Sequence, residues 1–441
     1  MIVGPMMEPA EFMDALPPEL ITIRMPYPDA PPCQHEWDTL TAAATPLAKP
    51  IVRGPDELIT LVYTSGTTGY PKGVMLNWKN AQFTIDGLLK QMPARGQEIF
   101  FSYLPLAHMF ERGAVEFSSL YLGAQIYFLE HLEKLPEQLA FVRPTRFFGV
   151  PLVYTRIQAG ILKKMPQEKL DKLLKIPLLS GLIKKKIKKA IGLDRAWMTV
   201  SGAAPMPKPL IEWFAKLGIH VLQGYGMTEN SIYASVNTPT ANRIGSVGRE
   251  MPGANTRIAA DGEIQYKHAG VMTGYYKEPE KTAETFTEDG YLRTGDKGAL
   301  DADGYLYITG RTKDIFKTMK GKYVAPAPIE GAMARNTDID QLCFVGSELK
   351  QPIMLVSLNE AGRNKPREVI EQDLIADMEA VNGPLEPHEA IGKIVVVKDI
   401  WTIDNNLMTP TMKVKRNEIE KRYHALIAKE GETRNKVSWE A

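Results

Sequence analysis

The chain has 441 residues, 44% of them hydrophobic and 24% charged, with a formal net charge of +1. That balance supports two or three globular domains with packed cores and excludes the broad basic field that nucleic-acid binding requires. Cys33 and Cys343 fit no metal-ligand spacing and suit a reduced, intracellular setting. No apolar run is long enough to span a bilayer, and the first residues lack the pattern of a secretory signal.

Residues 1–57 are rich in proline and acidic side chains and read as an irregular arm. Ile59–Thr64 is a short β-rich run that stops at a Ser/Gly/Thr cluster, and the spacing from Asn80 to Gln91 predicts a helix. Strand-length apolar runs follow near Ile126, Phe147, Val200 and Val221, with helical stretches between several of them. Such alternation predicts an α/β fold of layered, mostly parallel sheets and helices.

From about Asn242 the texture becomes short strands with frequent glycines. The pairs Asp261-Gly262, Asp289-Gly290 and Asp303-Gly304 mark turns, so a small β-subdomain is expected over about 242–311. After Arg311 a second α/β pattern begins, with a buried-strand run at Ile394–Val397 and an amphipathic helix over about Lys415–Ile427. The expected organisation is a large domain, 58–312, and a small mobile α/β domain, 313–441, with the boundary at Lys313.

The densest chemical signal is YTSGTTGYPKGV, Tyr63–Val74. Thr64, Ser65, Thr67 and Thr68 supply hydroxyls. Gly66, Gly69 and Gly73 let backbone N–H groups close around an anion, and Lys72 adds positive charge. The Walker A spacing is absent, because Pro71 stands where the second glycine belongs. A loop of this composition is either a phosphate cradle of another kind or a flexible surface turn.

The segment resembles the phosphate-loop signature of the adenylate-forming superfamily, which includes acyl-CoA synthetases, firefly-type luciferases and peptide-synthetase adenylation domains. Further motifs follow in the superfamily's order. SGAAP (Ser201–Pro205) and QGYGMTE (Gln223–Glu229) resemble the adenine-flanking segments. The resemblance implies that Gly202, Ala203, Ala204, Gly224, Tyr225 and Gly226 line the base, that Thr228 meets the α-phosphate, and that Glu229 holds Mg²⁺. One glutamate is chemically adequate for an ion that completes its shell with phosphate oxygens and water. YLRTGD implies Asp296 as the acceptor from the ribose hydroxyls. GRTKDIFKTMKGKYVAPAPIE implies Arg311 on the ribose, Lys313 at the hinge and Gly321 at the thiol tunnel. MTPTMKVKR implies Lys413 as the catalytic lysine. In LPLAHMFER, His108 either shapes an acyl pocket or is a capping histidine.

The implied function is ATP-dependent activation of a fatty acid to an acyl-adenylate, followed by transfer to coenzyme A. KYVAPAPIE, PTMKVKR and the insert at about 165–194 resemble bacterial long-chain acyl-CoA synthetases. The match begins late, with some sixty residues ahead of Thr64, so a shortened N-terminal region is expected. The alternatives are an acyl-AMP ligase that loads a carrier protein and a non-catalytic nucleotide- or acyl-binding remnant. The lysine-rich insert reads as a surface helix with a solvated outer face; its alternative is peripheral contact with an anionic membrane. The expected compartment is the cytoplasm, or the inner face of its membrane.

Overall fold

The computed structural model describes residues 1–3, 9–64, 71–347, 349–409, 412–433 and 435–440. They form two compact units, Met1–Gly54 and Pro55–Ala441.

The first unit carries three two-residue parallel strands, Ile2–Val3, Ile23–Arg24 and His35–Glu36, and helices Pro9–Asp14 and Trp37–Ala43. The expected irregular arm therefore holds regular pieces. Proline, which cannot donate to a ladder, is frequent between them and keeps them short.

In the second unit a seven-stranded sheet runs Arg249–Glu250, Ser235–Val236, Val221–Tyr225, Met198–Ser201, Arg146–Gly149, Ile99–Ser102, Gln125–Phe128. The last five are mutually parallel and the first two antiparallel. Ile99–Ser102, Arg146–Gly149 and Met198–Ser201 are buried at every residue. Parallel strands covered on both faces read as unbroken apolar runs. Ser102, Gly149, Ser201 and Tyr225 end these strands on one edge of the sheet, where open α/β sheets form their ligand crevices.

Strands Leu58–Thr64 and Lys72–Asn77 pair antiparallel, with Thr64 opposite Lys72 and Gly274–Tyr275 on the outer side. Asn77 then starts helix Trp78–Gln91: its side chain accepts from the Asn80 N–H at 2.9 Å, and the Asn80 side chain accepts from the Asn77 N–H at 2.9 Å. Next come Thr256–Ile258, Glu263–Tyr266, Leu292–Leu300 and Leu306–Arg311, an antiparallel four-stranded sheet. The glycines of the three Asp-Gly turns hold φ of +85°, +82° and +79°, a region that favours glycine.

The C-terminal part has its own sheet, Ile339–Val345, Ile353–Leu358, Lys393–Val397 and Val437–Trp439. A separate hydrophobic cluster around Phe344, Met354 and Leu374 packs beneath it. The single helix expected over 415–427 is two, Arg416–Arg422 and His424–Glu430. The break falls at Tyr423, which is buried and held by Trp401 Nε1 at 3.2 Å and Asp399 Oδ2 at 3.1 Å. Those contacts lie outside the helix, so periodicity alone does not register them.

Candidate active site

A cleft of about 2670 Å³ opens along the C-terminal ends of the parallel strands and continues against the C-terminal part of the chain. It gathers Thr64, His108, Gly202–Ala204, Gly224–Gly226, Thr228, Glu229, Asp296, Arg311 and Lys413. These positions are scattered over some 350 residues of sequence.

Asp296 is the polar centre of one wall. It stands in the middle of strand Leu292–Leu300, directly opposite Arg311 in the ladder with Leu306–Arg311. Arg311 Nε donates to Asp296 Oδ1 at 2.7 Å and the Tyr225 hydroxyl donates to Oδ2 at 2.6 Å. Each carboxylate oxygen retains a lone pair for a further donor. Burial first, and then Asp296, push the Tyr225 phenol well above its ordinary range, so it stays a neutral donor.

The Ser201–Pro205 segment, expected to flank the base, contains a feature that motif reading misses. Ala203 holds φ +68°, a left-handed conformation that costs a non-glycine residue energy and clusters at functional sites. In the next segment Gly226 is required by a close approach, since a Cβ there would meet the Ile232 carbonyl at 2.5 Å. Thr228 and Glu229 follow on a short 3₁₀ turn, and both are buried. Glu229 Oε1 accepts from the Tyr275 hydroxyl at 2.8 Å. Tyr275 was not singled out by sequence, because its partner lies 46 residues away.

His108 caps helix Met109–Glu111, its Nδ1 accepting from the Phe110 N–H at 3.1 Å. It also lines the cleft. Burial, and then the charge of Lys413, lower its pKa to about 4. It is neutral at physiological pH, with the proton on Nε2 because Nδ1 is an acceptor. Glu111 is a second residue that sequence reasoning missed. It is fully buried, and the Ser102 hydroxyl and the Leu104 backbone, which favour its charged form, only partly offset that burial. Burial raises its pKa to about 7.

Lys413 sits on a tight turn. The Thr409 N–H donates to the Lys413 carbonyl at 2.8 Å, the Lys413 N–H donates to Thr409 Oγ1 at 3.0 Å, and Met412 holds φ +59°. Burial, with the repulsion of Arg311 added and the attraction of Asp296 opposing, brings the Lys413 ammonium down to about 8. Lys313 is lowered too, by desolvation first and then by Lys72 and Arg311. Lys313 thus feels Lys72 and Arg311, and Lys413 feels Arg311, which is itself paired with Asp296. Lys72 Nζ also lies 4.8 Å from the centre of the Tyr275 ring, which carries the hydroxyl bonded to Glu229.

Some expected residues are placed elsewhere. Lys72, Lys313 and Gly321 are not among the residues lining the cleft. Gly321 occupies a hairpin turn at φ +77° between Phe316–Lys317 and Tyr323–Val324. Ser65, Gly66, Thr67, Thr68 and Gly69 lie outside the described residues. Among the described residues no group of three His, Cys, Asp or Glu side chains is placed to hold a metal ion.

The chain is similar in sequence and fold to known proteins. Long-chain-fatty-acid–CoA ligase ACSBG2 of Gallus gallus is 32% identical over 444 residues, covering 85% of this chain. The chain spans 58% of that protein's length. Long-chain-fatty-acid–CoA ligase FadD15 of Mycobacterium bovis is 32% identical over 408 residues, with 82% of this chain and 68% of that one covered. Among solved structures, ATP-bound MatB from Rhodopseudomonas palustris superposes with a TM-score of 0.69 at 26% identity, covering 88% of this chain and 73% of that one. An ATP-bound RpMatB-BxBclM chimera reaches 0.74 at 26% identity, covering 96% and 79%. A family model described as AMP-binding enzyme matches residues 14–276, beginning inside the segment expected to be an irregular arm, and one for the AMP-binding enzyme C-terminal domain matches 313–431. With more than half of its length matched, the chain belongs to the AMP-binding enzyme family.

Proposed function

We propose that this chain activates a long-chain fatty acid with ATP and passes the acyl group to coenzyme A. The observation that carries the reading is that Arg311 and Lys413, which repel one another, line the same cleft as Asp296 and Tyr225. Cations that repel one another at a cleft are suited to a polyanion, and a triphosphate relieves that repulsion. The names of the relatives supply the acid and the acceptor: two are long-chain-fatty-acid–CoA ligases.

In the first step a carboxylate oxygen attacks the α-phosphorus, forming the mixed anhydride and releasing pyrophosphate. In the second the thiol attacks the acyl carbon, forming the thioester, and AMP leaves. The first step brings two anions together, so the protein must offset repulsion and hold an in-line geometry. Lys413 supplies a positive charge at the cleft, and Thr228 a hydroxyl. The remaining lone pairs of Asp296 accept from the ribose, with Arg311 alongside. Residues 64–69 and Lys72 hold the outer phosphates. Gly202, Ala203, Ala204, Gly224, Tyr225 and Gly226 flank the base, and the neutral His108 shapes the acyl end.

Mg²⁺ fits the donor set, because Glu229 offers one buried carboxylate, already oriented by Tyr275, to an ion that takes its other ligands from phosphate and water. When bound, it would neutralise phosphate charge. The domain division we propose is 58–312 and 313–441, with Lys313 as the hinge and Gly321 on the loop that takes the place of Lys413 for the second step. We also assign the chain to the cytoplasm, since Cys33 and Cys343 are both unpaired thiols. No helix among the described residues is long and apolar enough to cross a membrane.

The test is pyrophosphate release from ATP and palmitate, with and without coenzyme A, on this chain. Acid-dependent pyrophosphate together with palmitoyl-CoA is expected. Pyrophosphate without the thioester would assign the acyl group to another acceptor, and no pyrophosphate at all would overturn the reading.

A further inference from the structure

The segment between Asp171 and Asp194 contains seven lysines and no acidic residue, in a chain whose net charge is only +1. Its main element is helix Pro177–Ala190. Leu179, Leu182, Ile183, Ile187, Ala190 and Ile191 follow helical spacing in the sequence, but the structure divides them. Ile187 is buried in the main core, with Ile183 and Ile191, one turn to either side, packed against it. Leu182 is turned outward.

The outward face is therefore not simply a solvated lysine surface. Leu178 is 91% exposed and Leu182 65%, and Ile176 just before the helix is 49% exposed. Leu178, Leu182, Lys185 and Lys189 fall at helical spacing along one stripe, with Lys186 one turn beyond Leu182. Lys185, Lys186 and Lys189 are exposed. Lys184, Lys185, Lys188 and Lys189 also line a shallow depression with Gly181 and Asp194. Asp194 does not neutralise them fully, since both its carboxylate oxygens are held by Arg143, at 3.0 and 2.5 Å.

We propose that this helix face is a docking surface for an anionic phospholipid bilayer, with Ile176, Leu178 and Leu182 entering the interface and Lys185, Lys186 and Lys189 meeting the headgroups. Charge complementarity selects the occupant. Exposed leucines flanked by lysines, on a helix already anchored to the core by its opposite face, match an in-plane interfacial helix. Each lysine near an anionic surface adds attraction that salt screens. The proposal does not depend on the ligase reading, because it rests on exposure and charge alone.

The test is flotation of the full chain with vesicles of phosphatidylcholine alone and of phosphatidylcholine with 30% phosphatidylglycerol, a composition of about one anionic lipid in three chosen to present a negative surface. Binding to the anionic vesicles, reduced by salt, is expected. K185E/K186E/K189E and L178E/L182E should each weaken it at least about tenfold. K421E/K429E, which alters exposed lysines elsewhere, should weaken it much less. Unchanged circular dichroism of each variant confirms folding. No binding by the parent chain, binding indifferent to lipid charge, or equal losses in the control would overturn the proposal. So would full retention of binding by L178E/L182E.

Discussion

Arg311 and Asp296 face each other across an antiparallel ladder, and the guanidinium Nε donates to the carboxylate at 2.7 Å. The same carboxylate receives the Tyr225 hydroxyl. One acid thereby joins the small sheet that carries the arginine to the main sheet that carries the tyrosine.

Asp296→Asn replaces an anionic acceptor with a neutral amide and leaves Arg311 without its counter-charge. Hydrogen bonds to charged groups contribute about 1.5–3 kcal/mol, so the KM for ATP should rise roughly 10- to 100-fold. Steady-state kinetics with varied ATP at saturating acid would measure it; an unchanged KM would remove Asp296 from nucleotide binding.

Lys413→Ala should reduce adenylate formation by about 10²–10³ while largely sparing thioester formation from supplied acyl-adenylate. Comparable losses in both half-reactions would contradict the assigned role. The ammonium is brought down to about 8 by burial and Arg311, so the charge is present below that pH and lost above it. The rate of the first half-reaction should therefore fall as pH rises through 8, and Lys413→Arg, always charged, should flatten that limb.

Glu111 carries a pH signature of stability. Folded, it keeps its proton to about pH 7; its ordinary value is 4.5. The folded state thus binds more protons between those values, and stability declines as pH rises through that window, by up to ~3 kcal/mol. Glu111→Gln should flatten this decline, measured by denaturant unfolding between pH 4.5 and 8. An identical slope in both proteins would show that Glu111 ionises without penalty.

Gly226→Ala places a methyl 2.5 Å from the Ile232 carbonyl carbon and oxygen. Both partners are backbone, so relief requires moving the chain between Tyr225 and Thr228. A loss of about 1–3 kcal/mol in stability is expected, with weaker AMP binding by calorimetry. Wild-type affinity would show that the segment moves freely.

Much of the site was legible because its parts are local. A glycine-rich loop after a strand, a Gly-Tyr-Gly before Thr228, and an Asp-Gly turn each announce themselves within a few residues. The strands near Phe147 and Val200 were legible for the same reason, since burial on both faces leaves an unbroken apolar run. Tyr275 and Glu111 were not, because the significance of one lies in a through-space partner and that of the other in its burial. The exposure of Leu182 was not legible either: it is the sequence neighbour of Ile183 at the edge of an apolar stripe, and only packing decides which edge is covered.

Residue order alone established the alternation of strands and helices, the turn positions and the kinds of side chain available for phosphate chemistry. Tertiary structure decided which of them meet. Backbone preference depends on near neighbours, whereas the lowered pKa of Lys413, the neutrality of His108 and the sharing of Asp296 by Tyr225 and Arg311 depend on distances between residues far apart in the chain. The distances from Lys413 to His108 and Arg311 arise where the C-terminal part meets the ends of the parallel strands, and the sharing of Asp296 arises where the small sheet meets the main one.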